Sequence, residues 1–163
     1  MSIDAQTADI LAGNELLMSK FSELPYLELE LDESFPGLSQ GESNPQLAFL
    51  HQHFVLNLRN YGAGKASSKA VFDGLFSRIK IDKGFIQQTM MRNVSPSFIN
   101  TVFYHIRPYC QQVILPGIDD MKMFRQAYHF DVDGLTGNLF TSVNETMLGK
   151  LTQLPEVFLQ SVR

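Results

Sequence analysis

Polar and charged residues recur where strands of this chain should end. Glu30 lies in the alternating segment that begins at Tyr26, and Arg59 and Asn60 follow the apolar run ending at Leu58. Lys80 and Asp82 lie in residues 78–82, and Pro116 through Asp119 follow the apolar residues 113–115. In α/β sheets and barrels the C-terminal strand ends share one cleft, so carboxylates and a lysine there could hold a divalent cation or move a proton. The same side chains could instead pair structurally, Lys80 with Glu30 above all, and residue types alone leave both readings open.

Other chemistries have less support. His51, His53, His105 and His129 have no carboxylate or cysteine at a metal-ligand spacing, which favours ordinary core or surface roles. Gly62-Ala63-Gly64 lacks the Walker and Rossmann spacings of a phosphate cradle. There is no G-x-S-x-G elbow, and Cys110, the single cysteine, sits among apolar and aromatic residues as a buried thiol would.

These residues need elements to position them. Apolar positions at helical spacing predict a helix over residues 7–24, closed by Pro25. Residues 26–32 alternate apolar and acidic side chains, as a strand does, and residues 35–45 (FPGLSQGESNP) read as a long polar loop. A short helix over 46–51 leads to a strand over 54–58 and a glycine turn at 61–64. Then follow a helix over 67–76, a strand over 78–82, helices near 85–91 and 97–109, and a strand at 113–115. A helix capped by Asp119 or Asp120 runs through Ala127, and a short strand lies near 134–136. Such alternation predicts an α/β domain with a parallel sheet.

At 163 residues and 44% hydrophobic, the chain has material for one core. No window is apolar enough for a membrane span and no secretory pattern opens the chain, so the cytoplasm is the default location. A net charge of -4, with 13 scattered Lys and Arg, disfavours direct nucleic-acid binding.

Read in order, LELELDES (27–34), LRNYGAGKASS (58–68), RIKIDKGFI (78–86), LPGIDD (115–120) and DGLTGNLF (133–140) resemble successive signatures of EAL domains. Those barrel phosphodiesterases of cyclic di-GMP typically carry LEITES, LDDFGTGYSS, LKIDRSFI, AEGVET and QGYLF. PYLELELDESFPGLSQG and NYGAGKASSKAVFDGLFSRIKIDKGFIQQ further resemble the degenerate EAL-like anti-FlhDC factors. The resemblance covers residues 1–152 and leaves 153–163 as a C-terminal tail, packed on that domain or trailing from it. It implies a truncated or incomplete EAL-type (β/α) barrel with about six of eight strands, since a complete barrel takes about 250 residues. The function it implies is binding of the FlhD subunit of the flagellar activator FlhDC, which keeps the activator from DNA and represses motility. An open barrel would suit a homodimer or an obligate complex.

The same resemblance implies that the catalytic site is a relict. The family holds two divalent cations with carboxylates and an Asn. Ser2 stands where the ligand Asn is expected, Arg59 and Asn60 replace the paired aspartates, Pro116 replaces a glutamate and Thr136 a glutamine. Glu30 and Lys80 match, and Asp119 matches approximately. No catalytic residue, metal or cofactor is therefore expected, and Glu30 should pair with Lys80 or Arg59. Phe35, Pro36 and Leu38, apolar residues in a polar loop, are candidate partner contacts, the other reading being a loop tucked onto its own domain. The alternative is a non-catalytic cyclic di-GMP receptor that uses Lys80 and Arg59 on the phosphates.

Overall fold

The computed structural model describes residues 1–64, 69–92, 94–140 and 146. Among these residues six strands form one parallel sheet in chain order: β1 (Ser2–Ile3), β2 (Glu28–Asp32), β3 (Val55–Tyr61), β4 (Arg78–Ile81), β5 (Gln112–Leu115) and β6 (Gly134–Leu135). Each strand pairs with the next, whereas a doubly wound sheet would reverse its order at a switch point. β1 and β6 do not pair with each other, so the sheet is open among the described residues.

Helices α1 (Ala5–Ala12), α2 (Glu15–Ser22), α3 (Pro45–His53), α4 (Lys69–Phe72), α5 (Lys83–Met91), α6 (Pro96–Ile106) and α7 (Met121–Ala127) lie between the strands. The strands explain why helices cover one face. Leu29 and Leu31 of β2, Leu56 and Leu58 of β3, Ile79 and Ile81 of β4, and Val113 and Leu115 of β5 are buried. Their alternates, including Glu28, Glu30, Asn57, Arg59, Arg78, Lys80 and Gln112, occupy the other face. Parallel strands covered on both faces read as continuous apolar runs, and the interior of a closed barrel is filled by branched side chains. This sheet has one apolar face and one polar, concave face.

The helix expected over 7–24 is two helices. Gly13 ends α1, and the Asn14 side chain accepts from the Leu17 amide at 3.0 Å to begin α2. Asp82 is likewise no strand residue; it caps α5 by accepting from the Phe85 amide at 2.7 Å. Asp120, rather than Asp119, caps α7. The helix expected over 97–109 stops at Ile106 and continues as a 3-10 turn, Arg107–Tyr109, around Pro108. Strand β1, two residues long, has too little sequence for its period to be read.

The 35–45 segment requires a correction. It contains a 3-10 stretch, Leu38–Ser43, and is folded onto the domain, with Phe35 at 6% and Leu38 at 5% exposure. Asp73, just beyond α4, accepts from the Glu42 amide at 2.8 Å and pairs with Lys69. Gly41, at φ 57°, lies so close to Asp73 that a Cβ would collide with its carboxylate. This fastening turns the two apolar side chains inward, so of the three candidate contacts Pro36 alone is exposed. The proposed tail, 153–163, lies outside the described residues. No helix among those described is long and apolar enough to cross a membrane.

Candidate functional site

The polar face brings the acidic side chains of β2 against the basic ones of β3 and β4. Lys80 Nζ lies 2.9 Å from Glu30 Oε2, and Arg78 Nη1 lies 2.9 Å from Glu28 Oε2. The expected Glu30–Lys80 pair is present. Arg59 does not join it: its register partner is Asp32, whose Oδ2 lies 3.2 Å from Arg59 Nε without a hydrogen bond's alignment. Three carboxylates and three cations therefore neutralise one another across this face.

Asn60 sits beside the same carboxylate. It is the one non-glycine residue at positive φ among those described (59°), and its Nδ2 donates to Asp32 Oδ2 at 2.7 Å. Asp32 also accepts from the Ser34 amide at 2.9 Å and the Ser34 hydroxyl at 2.6 Å. The Ser34 hydroxyl, with help from Asn60 and Arg59, holds the Asp32 carboxyl below the usual carboxylate range despite its partial burial. A depressed folded-state value contributes stability above the ordinary aspartate value, and that stability is lost as pH falls through the folded-state value. Asp32→Asn is accordingly expected to flatten the acid limb of the stability curve below about pH 4, measured as the urea midpoint against pH.

Other expected site residues are dispersed. Asp119 pairs with Lys83 at 2.8 Å and accepts from the Asn138 amide at 3.0 Å. The Asn138 bond, followed by Lys83, lowers its pKa. Ser2, Arg59, Asp32 and Pro36 line a cleft of about 850 Å3 at the C-terminal end of the sheet. Glu30, Lys80 and Thr136 line a separate cavity of about 350 Å3 on the concave face. Pro116 and Asp119 line neither. Backbone bonds dock the turn after β5 to the one after β6, Ile118 N donating to Thr136 O at 3.0 Å and Thr136 N to Leu115 O at 2.9 Å.

This donor set does not fit two divalent cations. Glu30 and Asp119 are each held by a lysine, Arg59 brings a positive charge to Asp32, and Pro116 has no side-chain donor. Among the described residues no three His, Cys, Asp or Glu side chains are grouped to hold a metal. His51 and His53 instead contact the Leu75 and Phe49 carbonyls through Nδ1, at 3.1 and 2.8 Å. Burial raises the Cys110 thiol pKa, and the residue is half-buried rather than the fully buried thiol its neighbours predict.

Sequence reasoning missed Asp32, Glu33, Asn57, Arg78 and Gln112. Arg78 precedes Lys80 by two, and Asn57 precedes Arg59 by two, so strand periodicity already places each pair on one face. Glu33, 4% exposed, accepts from the Gly62 amide at 2.8 Å and so fixes the glycine turn after β3. No comparable periodicity marks Glu33.

No protein-family model matches the chain. It is 39% identical over 153 residues to the anti-FlhC(2)FlhD(4) factor YdiV of Salmonella paratyphi B, covering 94% of this chain and 65% of that protein. The match to the factor of Salmonella typhimurium strain LT2 is 38% identical, and that to the putative factor of Escherichia coli K12 is 35%, over the same shares. The crystal structure of the EAL-like domain protein YdiV superposes with a TM-score of 0.83 at 34% identity, over 94% of this chain and 66% of that one. The chain spans slightly less than two thirds of the length of these relatives. Over nearly its whole length, then, the chain is a homologue of the YdiV-named factors, and its open sheet of parallel strands has the fold of an EAL-like domain.

Proposed function

We propose that this chain is a non-catalytic EAL-like regulator that binds the FlhD subunit of FlhDC and keeps the activator from DNA, repressing flagellar genes. The supporting observation is homology across 94% of the chain to proteins named for acting against FlhC(2)FlhD(4). The site geometry agrees with a role apart from hydrolysis, because the remaining carboxylates are committed to lysine and arginine. The regulator works in the cytoplasm, where a transcription activator is met.

The relict residues Ser2, Glu30, Arg59, Asn60, Lys80, Pro116, Asp119 and Thr136 have no catalytic part in this reading. Contact with FlhD is made by the exterior of the domain, and Pro36 is the member of the 35–38 loop available for it. Edge strands β1 and β6 each have one strand neighbour among the described residues, which suits coverage by a partner or a second copy.

Calorimetric titration of the full chain with FlhD tests the reading, together with an electrophoretic assay of FlhDC on promoter DNA. A complex with a dissociation constant on the order of 1 μM or tighter and release of the DNA are expected. Absence of a complex at about 10 μM would count decisively against it. Equilibrium dialysis with cyclic di-GMP is expected to show no uptake, because Lys80 and Arg59 already face carboxylates. Saturable uptake that prevents FlhD binding would favour the receptor alternative.

A further inference from the structure

The cavity on the polar face is lined by a buried amide whose oxygen has no partner among the described residues. Glu30, Asn57, Arg78 and Gln112 stand in one register row across β2, β3, β4 and β5, and all four line the cavity of about 350 Å3. Asn57 is 7% exposed, and its Nδ2 donates to Glu28 Oε2 at 2.7 Å. That bond sets the orientation of the amide, since flipping it would place oxygen against a carboxylate. Asn57 Oδ1 is then a buried acceptor with no hydrogen-bond partner among the described residues. Native proteins rarely leave such an acceptor without a partner from protein, ligand or ordered water.

Gln112 supplies the complementary group. Its Oε1 accepts from Arg78 Nε at 2.7 Å, and its Nε2 makes no hydrogen bond to a described residue. The two cations of the cavity are occupied, Lys80 by Glu30 and Arg78 by Glu28. An anionic ligand would have to displace a carboxylate, and a cationic one would have to compete with the lysine or arginine already there. One acceptor and one donor, both neutral, remain.

We propose that this cavity binds a neutral carboxamide, whose NH2 donates to Asn57 Oδ1 and whose carbonyl accepts from Gln112 Nε2. The amide belongs either to a small molecule or to an Asn or Gln side chain of a polypeptide. The inference is independent of FlhD binding.

The test is an NMR titration of the 15N-labelled full chain, following the Asn57 and Gln112 side-chain amides. The probes are propionamide, its near-isosteres propionate and propylammonium, and a short glutamine-bearing peptide. Propionamide is expected to give saturable shifts at both residues with a dissociation constant on the order of 1–10 mM, and the charged probes none. Asn57→Leu should weaken binding by at least about 10-fold. If that variant does not fold, Gln112→Met, at an exposed position, should produce a similar loss. A peptide bound at least about 10-fold more tightly identifies a polypeptide source, and equal affinity a small molecule. Lack of saturation, equal response to the charged probes, or soaked crystals with only water at Asn57 Oδ1 would each overturn the proposal.

Discussion

Leu38→Asp is expected to unfold the protein rather than merely to release a partner. Leu38 is 5% exposed within a segment fastened to Asp73, so a carboxylate at this position would be buried. Truncating a buried leucine costs about 2–5 kcal/mol, and placing an unpaired charge in its position adds to that. A domain of this size has only about 5–15 kcal/mol to lose. Phe35→Ala, at 6% exposure, should cost about 3–5 kcal/mol by the same reasoning. Pro36→Ser, at an exposed position, should change stability by less than about 0.5 kcal/mol. Urea denaturation of the three variants checks the order. If Leu38→Asp kept its wild-type midpoint while losing FlhD, the segment would be an interface after all.

The second large effect concerns metal. At an effective dielectric of about 20, unit charges about 4 Å apart interact by about 4 kcal/mol, close to a thousandfold in an equilibrium constant. Arg59 is placed to impose such a term on any cation beside Asp32. Wild-type protein is expected to take up no Mn2+ in calorimetry at millimolar concentration. Arg59→Asp combined with Asn60→Asp removes the positive charge, restores two negative ones and should tighten Mn2+ by on the order of 1,000-fold. Hydrolysis of cyclic di-GMP should still not appear, because Pro116 and the Lys83-bound Asp119 leave the remaining coordination unmade. Mn2+ binding to the wild-type protein, abolished by Glu30→Gln, would refute this account of the site.

The elements that could be read from sequence were those with enough length to show a period. Strands β2 and β4 declare themselves by strict alternation, and each burial pattern follows it. Strand β1, at two residues, shows no period, and Ser2 could be located only through the family resemblance. The break between α1 and α2 was written in Gly13-Asn14, but the apolar positions on either side continue at helical spacing and conceal it. The loop at 35–45 misled for a different reason. Its Gly, Pro and Ser content does predict a turn-rich backbone, but whether Phe35 and Leu38 face water depends on Asp73, over thirty residues away.

The candidate site divides in the same way. Glu30 and Lys80 lie on neighbouring stretches of one face, and their pairing could be anticipated from charge and strand order. Arg59 belongs to the end of β3, which runs to Tyr61 rather than stopping at Leu58. Its partner is therefore set by register, which put Asp32 opposite it. The orphan acceptor on Asn57 lay beyond sequence reasoning, because it depends on which way one amide turns.

Strand alternation also bears on how an open sheet of this kind meets water. A barrel lined with valine and isoleucine would, once opened, present an oily trough that captures unfolded chains and its own copies. Here the trough is lined by Glu28, Glu30, Asp32, Arg59, Arg78 and Lys80, whose charges cancel in pairs and remain wettable. Such a surface can lie open to water without becoming an aggregation seed.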